Sequence, residues 1–395
     1  MKDRLLKISE KRRNGVQTRF VRYLYETIDW TQSLILIKGA RGAGKTTLLL
    51  QHFRKNPENA IYLSLDDFYF ESNRLLLLVE ELYDEGFRTF YLDEVHQYQH
   101  WSKDLKNLYD NYPDLKIIAT GSSALQINKG AADLSRRMTV YQLYGLSFRE
   151  YLAMESGMAL PAIPLKSLLE EHEKYSVQIN DILDPLSHFE AYLKYGYYPF
   201  YRPDRKFYHQ KLQQTILLTL DVDLPAVEPL SFSTIKGMKN LLFVLSQLVP
   251  YTPNIQTLAD KTGSPRNSVL KALDLLDKSN ILNLLRSDNK GLSYLQKPEK
   301  IYLENPNLFY VFNDSPPNKG NLRETFFFNQ LKVKHDVTAP KFGDFMVDQT
   351  YTFEIGGAAK TAQQISGIPL AYIAADEIKY GNQHKVPLWL FGFLY

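Results

Sequence analysis

The sequence predicts an α/β protein that begins with a parallel sheet and continues into a helical subdomain, a winged helix-turn-helix and a small α+β domain. Three observations predict this arrangement. Apolar runs alternate with helix-forming stretches through the first 145 residues, a glycine-rich loop follows the first run, and two carboxylates follow the third. Such alternation is typical of a parallel sheet covered by helices on both faces.

Five apolar runs predict the strands of this sheet. They cover Leu34 to Lys38, Ala60 to Leu65, Arg88 to Asp93, Lys116 to Thr120 and Thr139 to Leu143. Ligands of such sheets bind beyond the carboxyl ends of the strands, so polar residues at those ends are candidates for a functional site.

The loop after the first strand reads Gly-Ala-Arg-Gly-Ala-Gly-Lys-Thr from Gly39 to Thr46. This is the pattern of a P-loop, whose backbone N–H groups and following helix bind nucleotide phosphates. Lys45 is expected to reach the terminal phosphates and to be catalytic, and the Thr46 hydroxyl to bind Mg²⁺. The residues expected to bind the nucleotide are Gly39, Ala40, Arg41, Gly42, Ala43, Gly44, Lys45, Thr46 and Thr47. The alternative is a glycine turn without a ligand.

The third strand ends in two carboxylates, Asp93 and Glu94. An aspartate at such a strand end can hold Mg²⁺, and the adjacent glutamate can activate the water that attacks the terminal phosphate. We therefore expect Asp93 to bind the metal and Glu94 to be the catalytic base. The alternative is that both acids only cap the following helix.

Hydroxyl groups follow the fourth strand in the segment from Thr120 to Ser123. Because this strand end belongs to the same edge of the sheet, Thr120 or Ser122 is a candidate sensor of the terminal phosphate. An equally acceptable interpretation is that Ser122 and Ser123 form a helix N-cap.

Length and composition restrict the class of protein. The 395 residues predict two or three domains, and a net charge of only +3 gives no general attraction for nucleic acid. Cysteine is absent, which excludes disulfides and thiolate chemistry. The amino terminus has no apolar core of a secretory signal, and no stretch is long enough to span a bilayer. We expect a cytoplasmic protein that does not act in a membrane.

Four segments are expected along the chain. Residues 1–145 form the core around the P-loop, residues 146–230 a helical subdomain, residues 231–312 a winged helix-turn-helix, and residues 313–395 a small α+β domain. In the last segment, Val347 to Ile355, Ala371 to Ile373 and Pro387 to Leu394 read as strands.

The winged helix-turn-helix is predicted from two helices separated by a turn at Gly263 and followed by a hairpin. Arg266, Asn267 and Lys271 of the second helix are candidates to read a DNA groove, with Lys290 on the wing near phosphate. Asp274 and Asp277 on the same helix would oppose phosphates. The alternative is a winged module used for protein contacts.

Four segments together resemble a prokaryotic family of AAA-type ATP-binding proteins. They are Gly39 to Thr46, Leu92 to Val95, Ala119 to Ser123, and the element Leu-Ser-Phe-Arg-Glu-Tyr from Leu146 to Tyr151. The resemblance covers essentially the full chain. It implies an AAA-type ATPase core, a winged helix and a C-terminal domain with a nuclease-like fold.

The resemblance also implies an arginine finger for the terminal phosphate. Arg137 aligns with that arginine, while Arg136 replaces a glycine of the family pattern. Such arginines often come from a neighbouring subunit, so the assignment implies a homo-oligomer. The alternative is an arginine that pairs with a surface acid.

The nuclease-like fold implies a magnesium site made by a helix glutamate, a strand aspartate and a Glu-x-Lys pair. Glu324 matches the first, Asp344 or Asp348 the second, and Glu354 the third. Gly356 stands where the lysine is expected, and Lys360 follows beyond a Gly-Gly turn. We therefore do not expect this domain to cleave nucleic acid.

The expected function is Mg²⁺-dependent binding and hydrolysis of ATP by a nucleotide-driven switch or remodeller. The protein is expected to associate with DNA through the winged helix, or alternatively to be a nucleotide-gated module that binds a protein partner. An ATP-regulated nuclease is the third hypothesis.

Overall fold

The computed structural model describes residues 2–121, 134, 136–227, 230–287, 297–312 and 316–395. The chain divides into two compact units, which are described separately. The first contains the residues up to Gly145 and a returning segment that begins at Val222, and the second contains the rest. Three residues named above, Ser122, Ser123 and Lys290, lie outside the described part of the chain.

The first unit is built on a five-stranded sheet whose strands are all parallel. The strands are β1 (Leu34–Lys38), β2 (Ala60–Ser64), β3 (Thr89–Asp93), β4 (Lys116–Gly121) and β5 (Thr139–Gln142). Their order across the sheet is β2-β3-β4-β1-β5. The predicted α/β fold and all five predicted strands are confirmed.

Helices cover both faces of this sheet. The longer ones are α1 (Lys2–Gly15), α2 (Lys45–Lys55), α3 (Leu75–Asp84) and α4 (Trp101–Asn111), with short helical turns at Leu24–Thr27, Tyr69–Ser72 and Leu224–Val227. Alternate side chains of β1 enter different cores, since Leu34 and Leu36 pack with α1, α3 and α4 while Ile35 and Ile37 pack with α2. Burial on both faces explains why the strands are continuous apolar runs.

His52 of α2 is a buried histidine in the second of these cores. Its ring stacks on Trp30 with 3.8 Å between centroids, and its Nδ1 lies 2.8 Å from the Tyr91 hydroxyl. Burial lowers its pKa from 6.5 to about 4. His52 therefore takes up a proton near pH 6.5 in the unfolded chain but only near pH 4 in the folded chain.

We expect the free energy of unfolding to fall as the pH drops from 6.5 to 4, with His52 contributing up to about 3 kcal/mol. The variant His52→Gln should lose less stability over this range than the wild type does. Denaturant unfolding followed by tryptophan fluorescence measures both proteins, with the exposed His384→Gln as the control. Equal acid sensitivity of wild type and His52→Gln would contradict the assignment.

The second unit begins with a helical region. Its helices are α5 (Phe148–Ser156), α6 (Leu165–Ile182), α7 (Pro185–Tyr195) and α8 (Tyr208–Leu218). The element Leu146 to Tyr151 starts α5 with a capping box, in which the Ser147 hydroxyl accepts from the Glu150 N–H and Glu150 accepts from the Ser147 N–H. Arg149 of the same element donates to the carbonyl oxygens of Leu160 and Tyr395.

Three helices and a two-stranded antiparallel sheet follow. They are α9 (Phe232–Leu248), α10 (Ile255–Thr262), α11 (Arg266–Lys278), β6 (Leu282–Leu285) and β7 (Lys300–Leu303). Gly263 ends α10 with φ of 62°, a left-handed conformation that favours glycine, and Pro265 precedes α11. The predicted hairpin has its turn at residues 288–291, which lie outside the described residues.

The last part of the second unit is a mixed sheet beside α12 (Lys319–Leu331). Its strands are β8 (Val337–Thr338), β9 (Phe345–Val347), β10 (Tyr351–Gly356), β11 (Ala371–Ala375) and β12 (Lys385–Pro387), in the order β12-β11-β10-β9-β8. The neighbours β10, β11 and β12 are parallel, whereas β9 is antiparallel to β8 and β10.

Two strand predictions in this region are wrong. The strand expected over Val347 to Ile355 is interrupted, because Asp348 and Gln349 have φ of 51° and 54° and turn β9 back along β10. The strand expected over Pro387 to Leu394 is a 3₁₀ helix at Leu388–Phe393. All six of its residues are buried, and a short apolar run does not distinguish a strand from a buried helical turn.

A buried ion pair connects the strands and helices of the second unit. Glu304, which follows β7 and is 1% exposed, lies 3.1 Å from the Lys332 ammonium. Tyr197 and Asn329 also donate to its carboxylate, at 2.8 Å and 3.1 Å. This network joins the helical region, β7 and the end of α12 around the buried Glu304 carboxylate, with Lys332 partly exposed. No helix among the described residues is long and apolar enough to cross a membrane.

Candidate functional site

The P-loop connects β1 to α2 at the carboxyl edge of the parallel sheet. Gly42 and Gly44 have φ of 80° and 100°, in the left-handed region that glycine tolerates best. At Gly39 a Cβ atom would collide with the carbonyl oxygen of Leu143. Backbone geometry therefore requires glycine at these three positions. The loop leads directly into the first turn of α2, where free backbone N–H groups favour the binding of an anion.

Lys45 begins α2 and is 4% exposed. Its ammonium donates to the carbonyl oxygens of Gly39 and Ala40 at 3.0 Å and 2.9 Å. Burial lowers the pKa of Lys45, while the charges of Glu94 and Asp93 act in the opposite direction. The lysine side chain is thus folded back on its own loop, within the ring of groups expected to bind phosphate.

Asp93 is held by three hydroxyl groups at the end of β3. Tyr62 donates to it at 2.8 Å and Thr46 at 3.2 Å, and Thr120 donates to the same oxygen as Thr46. Asp93 is 3% exposed, and burial raises its pKa. A carboxylate in contact with the P-loop threonine is the donor pair that Mg²⁺ beside a nucleotide requires.

Glu94 follows Asp93 in a left-handed conformation with φ of 53°. Its side chain is 19% exposed, so it reaches the open edge of the sheet, and its N–H donates to the Thr120 hydroxyl at 3.2 Å. The buried His96 lies 3.4 Å from the Glu94 carboxylate. Burial lowers the pKa of His96 to about 4, so near neutral pH this imidazole is uncharged beside the candidate base.

Thr120 contacts both acids of this site. It is fully buried, donating to Asp93 and accepting from the Glu94 backbone. Its hydroxyl therefore joins the Asp93 carboxylate to the Glu94 backbone, and its expected role as a phosphate sensor stays a prediction.

Arg22 is a buried arginine that joins the P-loop to the chain after β5. Its guanidinium donates to the carbonyl of Ala43 and, at 2.8 Å each, to the carbonyls of Tyr144 and Gly145. The side chain is 4% exposed. Arg22 was not predicted as part of the site, because it lies before β1 in a segment with no motif.

Replacing Arg22 by alanine should lower the free energy of unfolding by about 2 to 3 kcal/mol, because three buried carbonyls lose a charged donor. We expect nucleotide affinity to fall with it, since Ala43 belongs to the P-loop. Denaturant unfolding measures the first effect, and the exposed Arg19→Ala is the matched control. A stability equal to that of Arg19→Ala would contradict an anchoring role.

Arg41 of the P-loop pairs with Asp223 of the returning segment. Its Nε and one terminal nitrogen donate to the two carboxylate oxygens at 3.0 Å and 2.9 Å. Asp223 is 4% exposed, and this pairing raises the pKa of Arg41. Asp223 was not predicted, because 182 positions separate it from Arg41.

Arg137, the expected arginine finger, is engaged with an acid of its own unit. It donates to both carboxylate oxygens of Asp110, at 2.7 Å and 3.0 Å. Both side chains are partly exposed. This is the alternative considered for Arg137, and a role as a finger in a neighbouring subunit stays a prediction.

The second helix of the predicted winged module presents Arg266, Asn267 and Lys271 as exposed residues. The two acids expected to oppose phosphates are occupied elsewhere. Asp274 pairs with Lys278 at 2.8 Å, and Asp277 accepts from the Leu284 N–H at 3.2 Å. Burial raises the pKa of Asp277 to about 6.

The acids of the predicted nuclease-like site lie among lysines. The Lys300 ammonium lies 3.5 Å from both Glu324 and Asp344, and Lys360 lies 2.5 Å from Glu354. Asp348 instead pairs with His335 at 2.7 Å, so Asp344 is the acid beside Glu324.

Lys360 lies against Gly356, the position at which the motif lysine is absent. A Cβ at position 356 would lie 2.6 Å from the Lys360 Cβ, so this side chain covers the place of the missing lysine. However, among the described residues no three acidic, histidine or cysteine side chains are grouped to hold a metal ion. The acids of this domain therefore do not fit a metal centre as arranged.

A comparison with known protein families finds a match that covers most of the first unit. Residues 31–152 match the family model described as an AAA domain. This match includes the P-loop and both carboxylates, so this part of the chain is similar to AAA domains, and nucleotide binding is implied. The residues after 152 lie outside the match.

Over 270 residues the chain is 28% identical to an uncharacterized protein of Methanocaldococcus jannaschii, MJ1637. The aligned part covers 64% of this chain and 56% of the relative, so the chain spans just over half of that protein's length.

Two solved structures are similar in part. The Walker-type ATPase PABY2304 of Pyrococcus abyssi is 13% identical, with a TM-score of 0.42, over 74% of this chain and 95% of that one. The RuvB Holliday junction branch migration motor of Thermotoga maritima is 14% identical, with a TM-score of 0.29, over 65% and 82%.

Proposed function

We propose that this protein binds ATP with Mg²⁺ in the P-loop of its AAA domain and hydrolyses it. The observation that supports this most strongly is the contact between Thr46 and Asp93, which join the P-loop to the end of β3. Lys45, buried beside them, supplies the cation. A glycine turn that binds no ligand would not require a hydroxyl, a carboxylate and an ammonium group to lie together.

Each residue has a separate task in this proposal. The amides from Gly39 to Thr47 bind the phosphates, and Lys45 exchanges its bonds to the loop carbonyls for bonds to the terminal phosphates. Thr46 and Asp93 hold Mg²⁺, which supplies charge neutralisation when bound. Glu94 orients and deprotonates the attacking water, while Thr120 and His96 position Glu94.

Calorimetric titration tests the binding step. ATP should bind more tightly with Mg²⁺ than with EDTA, and the variant Thr46→Val should lose most of this difference because it removes one donor to the metal. The exposed Thr361→Val, in the second unit, is the matched control. The absence of heat with both ATP and GTP, at protein concentrations that would detect weak binding, would overturn the proposal.

We further propose that nucleotide binding drives a switch, and that DNA is its partner. Support comes from the exposed Arg266 and Lys271 on α11, while Asp274 of the same helix is paired with Lys278 and Asp277 accepts from the Leu284 N–H. A cavity of about 420 Å³ at the start of α11 is lined by Arg266, Lys297 and residues 254–256. Two cations beside one cavity suit a phosphate backbone.

DNA should therefore stimulate hydrolysis, and its affinity should fall steeply with salt. The double variant Arg266→Ala and Lys271→Ala should lose the stimulation while keeping the basal rate. The double variant Lys166→Ala and Lys174→Ala removes two exposed lysines from α6 and controls for net charge. An unchanged response would exclude DNA binding through α11, and would favour a module that binds a protein partner.

We propose no nuclease activity for the C-terminal domain. Its three acids are paired with Lys300 and Lys360, so their charges stabilise one another in the absence of a metal. Plasmid DNA incubated with the protein and Mg²⁺ should remain intact at high protein concentration. Cleavage that disappears in Glu354→Ala but persists in the exposed Lys341→Ala would overturn this view.

A further inference from the structure

The returning segment brings an acid to the P-loop from a distant part of the chain. Asp223 ends a π-helical turn, Thr219–Asp223, and belongs to the same compact unit as the P-loop. Its carboxylate accepts two parallel hydrogen bonds from Arg41 and is almost completely buried. A buried bidentate pair of this kind is specific in geometry and costly to break from one side.

Asp223 also increases the negative charge around the phosphate-binding groups. The charges that act on the buried Lys45 include those of the acids Glu94, Asp93 and Asp223 and that of Arg41. Asp93 and Glu94 have tasks in binding the metal and activating water. Asp223 has neither task, and it neutralises the one P-loop cation besides Lys45.

We propose that Asp223 is an autoinhibitory acid that occupies Arg41 and opposes the entry of the nucleotide phosphates. This inference rests on the proposed nucleotide site. A triphosphate carries several negative charges, so it is repelled by Asp223 and competes with it for Arg41. Binding therefore separates Arg41 from Asp223, and the segment 222–227 is released from the loop when ATP is present.

Removal of the acid tests this directly. The variant Asp223→Asn should bind Mg·ATP about tenfold more tightly than the wild type, because one buried like charge disappears and Arg41 becomes available. Asp221→Asn is the matched control, since Asp221 is exposed and pairs with Lys239 at the surface. Equal or weaker binding by Asp223→Asn would overturn the proposal.

A double-mutant cycle tests the part played by Arg41. In the Arg41→Ala background, Asp223→Asn should still increase the affinity for Mg·ATP, but by less than half as much, in logarithmic units, as it does in the wild type. If the full gain persists without Arg41, competition for this arginine is disproved.

Hydrogen exchange gives a readout independent of affinity. Amides of residues 219–227 should exchange faster when saturating Mg·ATP is added to the wild type, and a lack of change would contradict release of the segment.

The two proposals, nucleotide binding and autoinhibition by Asp223, would be contradicted by different results. If no variant binds nucleotide, the proposed function is wrong. If wild type and Asp223→Asn bind equally, only the autoinhibitory role is wrong.

Discussion

Replacing Lys45 by methionine should weaken Mg·ATP binding by about a hundredfold or more and abolish measurable hydrolysis. Methionine keeps the apolar stem of the side chain but removes the ammonium, which is buried among the acids Asp93 and Glu94. A charge in such an enclosed place acts strongly on phosphate because water screens it little. Calorimetry measures the affinity and phosphate release measures the rate.

The matched control is Lys55→Met, which removes an exposed lysine from the other end of the same helix. Unfolding by denaturant shows whether the Lys45 variant remains folded, since it also loses two bonds to loop carbonyls. A folded Lys45→Met protein that binds Mg·ATP as the wild type does would refute the assignment of this loop.

The variant Glu94→Gln should reduce ATP hydrolysis by about a hundredfold to a thousandfold while changing nucleotide affinity by less than about threefold. The amide keeps the shape of the side chain but cannot accept a proton from water. Single-turnover hydrolysis and calorimetry separate the two effects. The combination of strong binding and slow hydrolysis is expected because Glu94 is partly exposed at the edge of the sheet, beyond the buried Asp93.

Glu58→Gln is the control for Glu94, because Glu58 is exposed in the turn before β2. Loss of hydrolysis accompanied by an equal loss of binding would mean that Glu94 supports the loop and is not the base. Unchanged hydrolysis would assign the base to another residue.

The sheet and the P-loop could be predicted because their signals are local. Each strand of a parallel sheet is a short apolar run, and the P-loop pattern from Gly39 to Thr46 lies in consecutive residues. Asp93 and Glu94 could be named as candidates for the same reason, since they stand at the end of one of these runs.

The groups that support the site could not be predicted. Arg22 and Asp223 reach the loop only after folding, from segments without a motif, and no pattern in one sequence connects them to it. Tyr62 contacts Asp93 because β2 and β3 are neighbours in the sheet, with Ser64 opposite Asp93. The order of strands had to be known before this contact could be inferred.

The errors in the C-terminal sheet have a similar cause. The turn between β9 and β10 uses Asp348 and Gln349 with positive φ, where glycine is the usual signal. Lys360 lies over Gly356 because the chain folds back after Gly357. A lysine that stands beyond the motif position in the sequence therefore lies against that position in the fold.

The distance between Arg41 and Asp223 along the chain has a consequence for biosynthesis. A ribosome that adds about 5 to 20 residues per second needs roughly 10 to 40 seconds to travel the 182 positions from one to the other. The sheet itself is complete only after β5, which ends at Gln142, has been made, so the finished sheet precedes its acid by only the later part of that interval. If Asp223 opposes nucleotide entry as proposed, we expect the order of synthesis to favour a first nucleotide bound during translation.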